Sequence, residues 1–257
     1  MNIGNISVSR KQTWDQCHQS YKYKYHLKVI PSGPPPFYLT YGTILHKVAE
    51  EYVRAGGKRQ ITEVASDVIN GKMLLKEDTV CPKLEPDYQV KFPQHLRAVK
   101  KLTERIGFDG KLEWPFDIDL EPPNKVFIKG FIDRLIERKG KFFVIDYKTS
   151  KKGNWRKTAT TILDDLQLRV YARIVQKEFG AKAEDIRCAL YYVDDPVQLI
   201  SAKYTQESLL AAEEELLQCY KQIAAFDPDK AVGNIGDHCY RCSYSDICPF
   251  FAASNYV

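Results

Sequence analysis

The stretch from Gly130 to Lys152 places an acidic residue near the end of one apolar strand and an Asp-x-Lys triplet at the end of the next. β-Branched and aromatic residues dominate Val126–Arg138 and Lys141–Lys148, and only the pair Lys139-Gly140 separates the two segments. Two such segments joined by a two-residue turn containing glycine predict a β-hairpin. A chain with this hairpin must place charged side chains at the end of a sheet.

The hairpin is expected to bring Asp133 close to Asp146, so that two hard oxygen ligands converge. Lys148 lies two residues beyond Asp146, and the side-chain period of two along a strand puts both on one face. A divalent cation beside a lysine ammonium suits phosphodiester hydrolysis. Acids in a hairpin are often only solvated surface. Here, however, Phe142–Ile145 is an unbroken apolar run that predicts a strand buried on both faces, where charges need partners.

Two other blocks offer such partners. His46 and Glu50 are four residues apart and would share one helical face, where a neutral imidazole beside carboxylates is a reasonable metal ligand. A lone helical histidine is more often a packed or surface residue than a metal ligand. The sequence also does not distinguish Glu50 from Glu51 as the acid that would accompany it. Gln167 and Tyr171 would also share a helical face, and they could hold Lys148 or a phosphate, or simply pack under the sheet.

These blocks, taken in order, resemble the RecB-like branch of the PD-(D/E)XK nucleases. Gly130-x-x-Asp133 precedes the strand ending in Asp146-Tyr-Lys-Thr, Gly42–Glu50 is similar to the first motif of the family, and Gln167-x-x-x-Tyr171 is similar to its Gln-x-x-x-Tyr motif. Ile132 stands where some members have proline, a departure shared by many RecB-like members.

The resemblance implies a catalytic site built from residues of all three blocks. Magnesium or manganese would be held by His46, Asp133, Asp146 and the backbone carbonyl of Tyr147, and Lys148 would orient or activate a water. Gln167 and Tyr171 would assist Lys148 or bind the phosphate.

The cysteines form a second pattern. Cys239, Cys242 and Cys248 follow a Cys-x2-Cys-x5-Cys spacing, and Cys17 stands near the opposite end of the chain. The first residues carry no apolar secretory segment and no long apolar stretch follows, so we expect a cytoplasmic, reducing location with no membrane contact. Cysteines that stay reduced are better explained as metal ligands than as partners in disulfide bonds. Four thiolates could hold zinc or an iron–sulfur cluster, and the spacing alone leaves both open.

The iron–sulfur RecB-like nucleases have one cysteine before the nuclease core and three after it, at this spacing. They include the AddB repair subunit and the CRISPR-associated spacer-acquisition exonucleases. The resemblance extends to the block Ser7–Cys17, although His18 replaces a proline often found there. It implies a structural [4Fe-4S] cluster on the four cysteines, with zinc as the alternative. We expect Cys81, Cys188 and Cys219 to be ordinary reduced residues.

The sequence predicts an α/β fold, with a restriction-endonuclease-like αβββαβ core in a single domain over residues 1–257. Within it we expect an iron–sulfur lobe from residues 1–30 and 230–257, a helical insert over 58–108 and a central sheet with the active site over 109–205. The expected helices are 9–27, a His46 helix ending near 54, 61–76, 88–106, 161–179 and 206–225; the expected strands are 111–120, 125–137, 141–148, 186–193 and 197–204.

The formal net charge of +5 permits a polyanionic partner. A basic group follows the Asp-x-Lys strand directly, where a phosphate backbone would enter: Lys148, Lys151, Lys152, Arg156 and Lys157. We therefore expect a Mg²⁺- or Mn²⁺-dependent deoxyribonuclease, an exonuclease on single-stranded DNA or DNA ends, with possible protein partners in a repair, recombination or CRISPR complex. The alternatives are a catalytically idle iron–sulfur subunit that binds DNA or acts as a scaffold, and a redox sensor with secondary nuclease activity.

Overall fold

The computed structural model describes residues 4–75, 79–120, 126–149, 156–194 and 197–254. The chain forms two compact units. The cysteine unit contains Met1–Pro35, Asp117–Gly130 and Ala211–Val257, and the sheet unit contains Pro36–Phe116 and Phe131–Leu210. All four cysteines of the predicted cluster lie in the cysteine unit, and all predicted catalytic residues lie in the sheet unit. The finer division into a lobe, an insert and a central sheet stays a prediction.

Across the described residues there are eight α-helices and six strands, in a mixed α/β fold. In chain order they are β1 Asn5–Ile6, α1 Val8–Gln16, α2 His18–Tyr21, α3 Phe37–Arg54, α4 Ile61–Ile69, α5 Pro86–Ile106, β2 Lys111–Asp119, β3 Phe127–Arg138, β4 Lys141–Lys148, α6 Leu166–Phe179, β5 Ile186–Tyr192, β6 Gln198–Ala202, α7 Gln206–Ala225 and α8 Pro249–Ser254. The sequence α3, β2, β3, β4, α6, β5 has the order that was predicted for the nuclease core.

The hairpin of β3 and β4 is confirmed. Lys139 and Gly140 both have positive φ angles, 52° and 73°, which is the backbone of a tight two-residue hairpin turn. The antiparallel register runs from Arg138 opposite Lys141 to Arg134 opposite Ile145. The turn therefore fixes the register, and Asp133 and Asp146 are the next residues along their strands.

Strand order in the sheet explains how the site is supported. β4 pairs with β3 on one side and runs parallel to β5 on the other, and β6 pairs antiparallel with β5 at the edge of the described sheet. A parallel pair requires a crossover, which α6 supplies. Asp165 caps the N-terminus of α6 by accepting the Leu168 N–H at 3.0 Å, and Gly180 ends this helix with φ 65°.

Helices cover both faces of β4. Ile145 and Tyr147 point into a core with α3, α4 and α5, where Val48, Val64 and Val99 are fully buried. Phe142, on the opposite face by the period of two, packs against Phe179 of α6 with ring centroids 5.1 Å apart. The Asp146-Tyr147-Lys148 triplet thus closes a strand that is sandwiched between helices.

Several expectations need correction. β4 was expected to be buried on both faces over Phe142–Ile145, but Phe143 remains 36% exposed. Both faces of the strand are buried only from Val144 to Tyr147. The predicted first helix is interrupted at Cys17, whose φ of −167° and ψ of 117° are extended, and its N-cap is Ser7, which accepts the Arg10 N–H at 3.1 Å. The short helix α2 follows, then one wider helical turn over Lys22–His26.

Two helices are shorter than expected. α4 ends at Ile69, where Asn70 and Gly71 close it, with a positive φ of 71° at Gly71. The helix expected from 161 begins at Leu166, because a short 3₁₀ turn over Thr161–Asp164 precedes it and Asp165 takes the capping position. Among the described residues, no helix combines the length and apolarity that crossing a membrane requires.

Candidate active site

Three side chains of the sheet unit converge on one point. His46, Glu113 and Asp133 each place a ligand atom within 4.8 Å of the others. Nδ1 of His46 lies 3.3 Å from Oδ1 of Asp133 and 3.8 Å from Oε1 of Glu113. Their side chains are only 11 to 25% exposed, so the carboxylates face each other in a partly dry setting. This is a suitable set of donors for a divalent cation.

The backbone of Tyr147 holds two members of this group. The His46 Nε2 lies 2.9 Å from the Tyr147 carbonyl oxygen, and the Tyr147 N–H donates to Oδ2 of Asp133 at 2.8 Å. With Nε2 donating to the carbonyl, Nδ1 is left to face the carboxylates. The end of β4 therefore orients both the histidine of α3 and the aspartate of β3.

Lys148 stands at the centre of a second group. Its Nζ lies 2.8 Å from Oδ2 of Asp146 and donates to Oε1 of Gln167 at 3.1 Å. The Gln167 amide donates in turn to the Tyr171 hydroxyl at 2.7 Å. Gln167 and Tyr171 are four apart on α6 and share the face toward Lys148, so the helix holds the ammonium in place.

The electrostatics of the His46, Glu113 and Asp133 group favour a cation. Burial alone would lower the pKa of His46, but the neighbouring Asp133 and Glu113 carboxylates raise it to about 10. Burial raises the pKa of Asp133, and this is outweighed by His46 and the Tyr147 N–H, which bring it below its usual range. The carboxylates of Asp133 and Glu113 therefore stabilise a positive charge next to them.

Asp146 and Lys148 show the opposing effects expected of a buried ion pair. Burial raises the pKa of Asp146, Lys148 lowers it, and the charge of Asp133 raises it again, to about 6. Burial lowers the pKa of Lys148, but Asp146 and Asp133 raise it above its ordinary value. The ammonium therefore stays protonated beside the acids. Burial also raises the pKa of Tyr171, so its phenol remains a neutral partner of Gln167.

Glu113 was not singled out from the sequence. Its side chain is 14% exposed, and its backbone has φ 43°, in the left-handed region that a non-glycine residue in a strand rarely adopts. Strain of this kind costs about 1–3 kcal/mol and clusters at functional sites. The sequence signal that could have identified it is an acidic residue between two apolar residues of a strand, Leu112 and Trp114, both of which are half-buried.

Other candidates lie away from this point. Glu50, considered with His46, pairs instead with Lys47 at 3.2 Å and Arg54 at 2.5 Å, and Glu51 has the same partners. This acid pair thus belongs to a helix-surface network. Lys151 and Lys152 of the basic group lie outside the described residues.

The four cysteines of the predicted cluster differ in burial. Cys17 and Cys239 are buried, and Cys242 and Cys248 are half-buried. Burial raises the pKa of the Cys242 thiol; the Tyr244 N–H and the Ser20 hydroxyl oppose this, and Cys17 and Cys248 raise it further. In the part of the chain that the structure describes, the one set of three ligand atoms at single-ion spacing is His46, Glu113 and Asp133. The thiols therefore form no compact one-metal cage. Cys81, Cys188 and Cys219 are buried and unlinked.

The sequence matches the family model of the PD-(D/E)XK nuclease superfamily over residues 5–249. The Gene 69 protein of Mycobacterium phage D29 is 26% identical over an alignment of 286 positions, which covers 95% of this chain and 96% of the phage protein. The solved structure of SSO0001 has a TM-score of 0.41 at 18% identity, covering 90% of this chain and 94% of that one. A candidate exonuclease from Eubacterium rectale has a TM-score of 0.49 at 13% identity, covering 98% and 88%.

The family match spans both the His46, Glu113 and Asp133 group on α3, β2 and β3 and the Asp-x-Lys triplet that closes β4. Because it extends over nearly the whole chain, the protein belongs to the PD-(D/E)XK nuclease superfamily.

Proposed function

We propose that the protein is a metal-dependent deoxyribonuclease of the RecB-like branch, acting as an exonuclease on single-stranded DNA or DNA ends. The observation that carries this proposal is the juxtaposition of the His46, Glu113 and Asp133 group with the Asp146–Lys148 pair. Both groups are held by the last residues of one strand. Buried charges cost free energy unless they serve a ligand or a partner.

The donor set fits a divalent cation. Carboxylate oxygens suit Mg²⁺ and Mn²⁺, and an imidazole nitrogen is accepted more readily by Mn²⁺. We propose His46, Glu113 and Asp133 as ligands, with Asp146 completing the site. Tyr147 was predicted to ligate through its carbonyl, and that role stays a prediction; in the structure this oxygen lies at hydrogen-bonding distance from His46 Nε2.

The residues divide the chemistry between them. When bound, the cation polarises the scissile phosphate and lowers the pKa of an attacking water. Lys148, fixed between Asp146 and Gln167, presents its ammonium to the charge that develops on the phosphate and orients the water. Gln167 and Tyr171 act through Lys148 by fixing its direction, so they are positioning residues. No covalent intermediate is required.

The exonuclease assignment is tested with two matched single-stranded substrates, a linear end-labelled DNA and a circular DNA of the same length. The purified protein is incubated with each in Mg²⁺, in Mn²⁺ and without divalent cation. The proposal expects metal-dependent loss of the linear DNA while the circle persists. Cleavage of the circle at the same rate would show endonuclease action, and no cleavage of either would favour the idle DNA-binding alternative.

We further propose a [4Fe-4S] cluster on Cys17, Cys239, Cys242 and Cys248. Thiolates on one zinc lie about 3.8 Å apart, from Zn–S bonds of about 2.3 Å in a tetrahedron. A cubane instead binds each cysteine to a different iron, and the cysteine spacing shared with the iron–sulfur RecB-like nucleases is what favours it over zinc. Iron and acid-labile sulfide analysis of the purified protein decides: stoichiometric zinc without sulfide contradicts the cluster.

Because it would link residues from both ends of the chain, the cluster would act mainly on stability. The proposal retains the predicted iron–sulfur lobe, helical insert and central sheet as parts of one nuclease domain. Its DNA partner follows from the family. Protein partners in repair, recombination or CRISPR adaptation, a redox-sensing role and the cytoplasmic location stay predictions.

A further inference from the structure

An open cleft of about 420 Å³ lies in the sheet unit, and none of His46, Glu113 and Asp133 lines it. Residues 156–159 form one side of the cleft, and residues 198–201 of the edge strand β6 form the other. This volume falls within the range of about 300–1,000 Å³ usual for ligand pockets. Neither the proposed ligands nor the proposed positioning residues of the nuclease site line it.

One wall of the cleft presents a cation. The Lys157 side chain is 40% exposed, and its Nζ lies 3.9 Å from Oδ2 of Asp165. Its backbone N–H donates to the Tyr192 hydroxyl at 2.9 Å, so the main chain at this point is fixed. The adjacent Arg156 stacks on the Tyr192 ring with 4.9 Å between the guanidinium carbon and the ring centroid.

The opposite wall combines apolar and polar side chains. Leu199 is 48% exposed, and Ile200, Gln198 and Ser201 line the cleft beside it. A cation facing an apolar and amide-bearing wall matches an unpaired nucleotide, whose phosphate is anionic and whose base has an apolar face and polar edges. A paired base would bury that face and those edges in the duplex.

The cleft is connected to the catalytic lysine through two elements. Tyr192, which anchors Lys157, is the Cα partner of Lys148 in the ladder of β4 and β5. Asp165, the neighbour of Lys157, caps the helix whose Gln167 holds Lys148. β6 lies two strands from β4, which is about 10 Å at a strand spacing of about 4.8 Å. That distance corresponds to about three stacked nucleotides at about 3.4 Å each, and fewer when the strand is extended.

We propose that this cleft is a subsite for an unpaired nucleotide about one to three nucleotides from the scissile bond, with Lys157 binding its phosphate. The inference rests on the proposed nuclease function and adds to it a preference for a single strand at this position. Connection to Lys148 favours DNA over an acidic peptide added to the free edge of β6, which is the competing occupant.

Binding without cleavage tests the subsite separately from catalysis. The full-length protein is titrated into a fluorescein-labelled single-stranded oligonucleotide and a duplex of the same length, at several salt concentrations and without divalent cation. The variants are Lys157→Ala, Lys157→Arg and the control Lys182→Ala. Lys182 is exposed in the same unit, at the opposite end of β5 from Tyr192.

We expect Lys157→Ala to weaken single-strand binding several-fold and to reduce the slope of log affinity against log salt by about 0.7, the loss of one phosphate contact. Lys157→Arg should restore the slope, Lys182→Ala should resemble the wild type, and duplex binding should change less.

An unchanged affinity and slope for Lys157→Ala, or an equal loss for Lys182→Ala, would overturn the subsite. If Lys157→Ala does not fold, Gln198→Ala on the opposite wall tests the affinity alone: it should weaken single-strand binding with an unchanged salt slope, and an unchanged affinity would overturn the subsite. Failure of the nuclease proposal has a separate sign, which is the absence of metal-dependent cleavage by the wild-type protein.

Discussion

Nδ1 of His46 in α3 and Oδ1 of Asp133 in β3 lie 3.3 Å apart, although the two residues are distant in the sequence. The Tyr147 backbone at the end of β4 reaches both side chains, at 2.9 Å and 2.8 Å. The helix α3 and the strands β3 and β4 therefore meet at the end of β4. We expect a substitution of one side chain there to alter metal binding without disturbing the hydrophobic core.

Glu113 should contribute directly to metal affinity. Glu113→Gln keeps the size of the side chain but removes a negative charge 3.8 Å from His46 Nδ1. We expect the Mn²⁺ concentration for half-maximal cleavage to rise about 10–100-fold, the range for loss of a metal-site partner. Glu50→Gln is the matched control on α3 and should leave this concentration unchanged. An equal effect of both substitutions would contradict direct metal binding by Glu113 and would leave only a contribution to the overall negative charge near the site.

The imidazole should set the choice of metal. Because His46 adds a nitrogen to oxygen donors, the wild type should need less Mn²⁺ than Mg²⁺ for half-maximal cleavage. His46→Asp converts the group to oxygen donors alone and should narrow or reverse this preference. Cleavage rates measured over a concentration series of each metal provide the test. A His46→Asp variant with the wild-type metal preference would remove His46 from the ligand set.

Gln167 should act on catalysis through Lys148 rather than on binding. Gln167→Ala removes the acceptor at 3.1 Å from Lys148 Nζ, so the ammonium loses one of its two supports. We expect kcat to fall about 10-fold, with KM and metal affinity nearly constant. Gln167→Glu retains an acceptor oxygen and should recover most of the rate. A rise in KM without a change in kcat would instead assign Gln167 to phosphate binding.

His95 should make the protein less stable in acid. Its Nδ1 lies 2.7 Å from the Tyr41 hydroxyl and its Nε2 lies 3.4 Å from Asp194. Burial lowers the pKa of His95 below 6.5, with Lys91 adding to this and Asp194 opposing it. As the pH falls through about 6.5, His95 of the unfolded chain therefore takes up a proton before His95 of the folded protein does. The free energy of unfolding then decreases until the pH reaches the lowered pKa of the folded state.

Urea unfolding at neutral and mildly acidic pH measures this effect. The loss should be at most about 1.4 kcal/mol per pH unit for this single group. His95→Gln should reduce the acid-induced loss relative to the wild type, while the intact Tyr41 hydroxyl can bond the amide. An identical pH dependence in the variant would exclude His95 as its source.

The parts that could be predicted from sequence share a local cause. The Lys139-Gly140 turn specifies the hairpin through backbone conformation, and the period of two then aligns Asp146 with Lys148. His46 and Gln167 required the order of motifs as well, since a single helical residue carries little information. Their positions at the end of β4 follow from how the helices pack on the sheet.

The features that could not be predicted depend on contacts distant in sequence. Glu113 reaches the site through a left-handed backbone conformation in β2, which no propensity favours for glutamate. The extended conformation of Cys17 breaks a helix that the local pattern would continue. Phe143 stays partly exposed although its neighbours in the apolar run are buried, because periodicity alone does not show how far a covering helix extends.

The most direct test of the central claim compares wild type, Asp146→Asn and Lys182→Ala for Mn²⁺-dependent cleavage of an end-labelled single-stranded oligonucleotide, with binding measured in parallel. We predict that Asp146→Asn binds the oligonucleotide as the wild type does but loses at least about a hundredfold in cleavage rate, because Lys148 loses its ion-pair partner at 2.8 Å and the proposed cation site loses a carboxylate. Lys182→Ala should cleave normally. Wild-type cleavage by Asp146→Asn would contradict a site built on the end of β4.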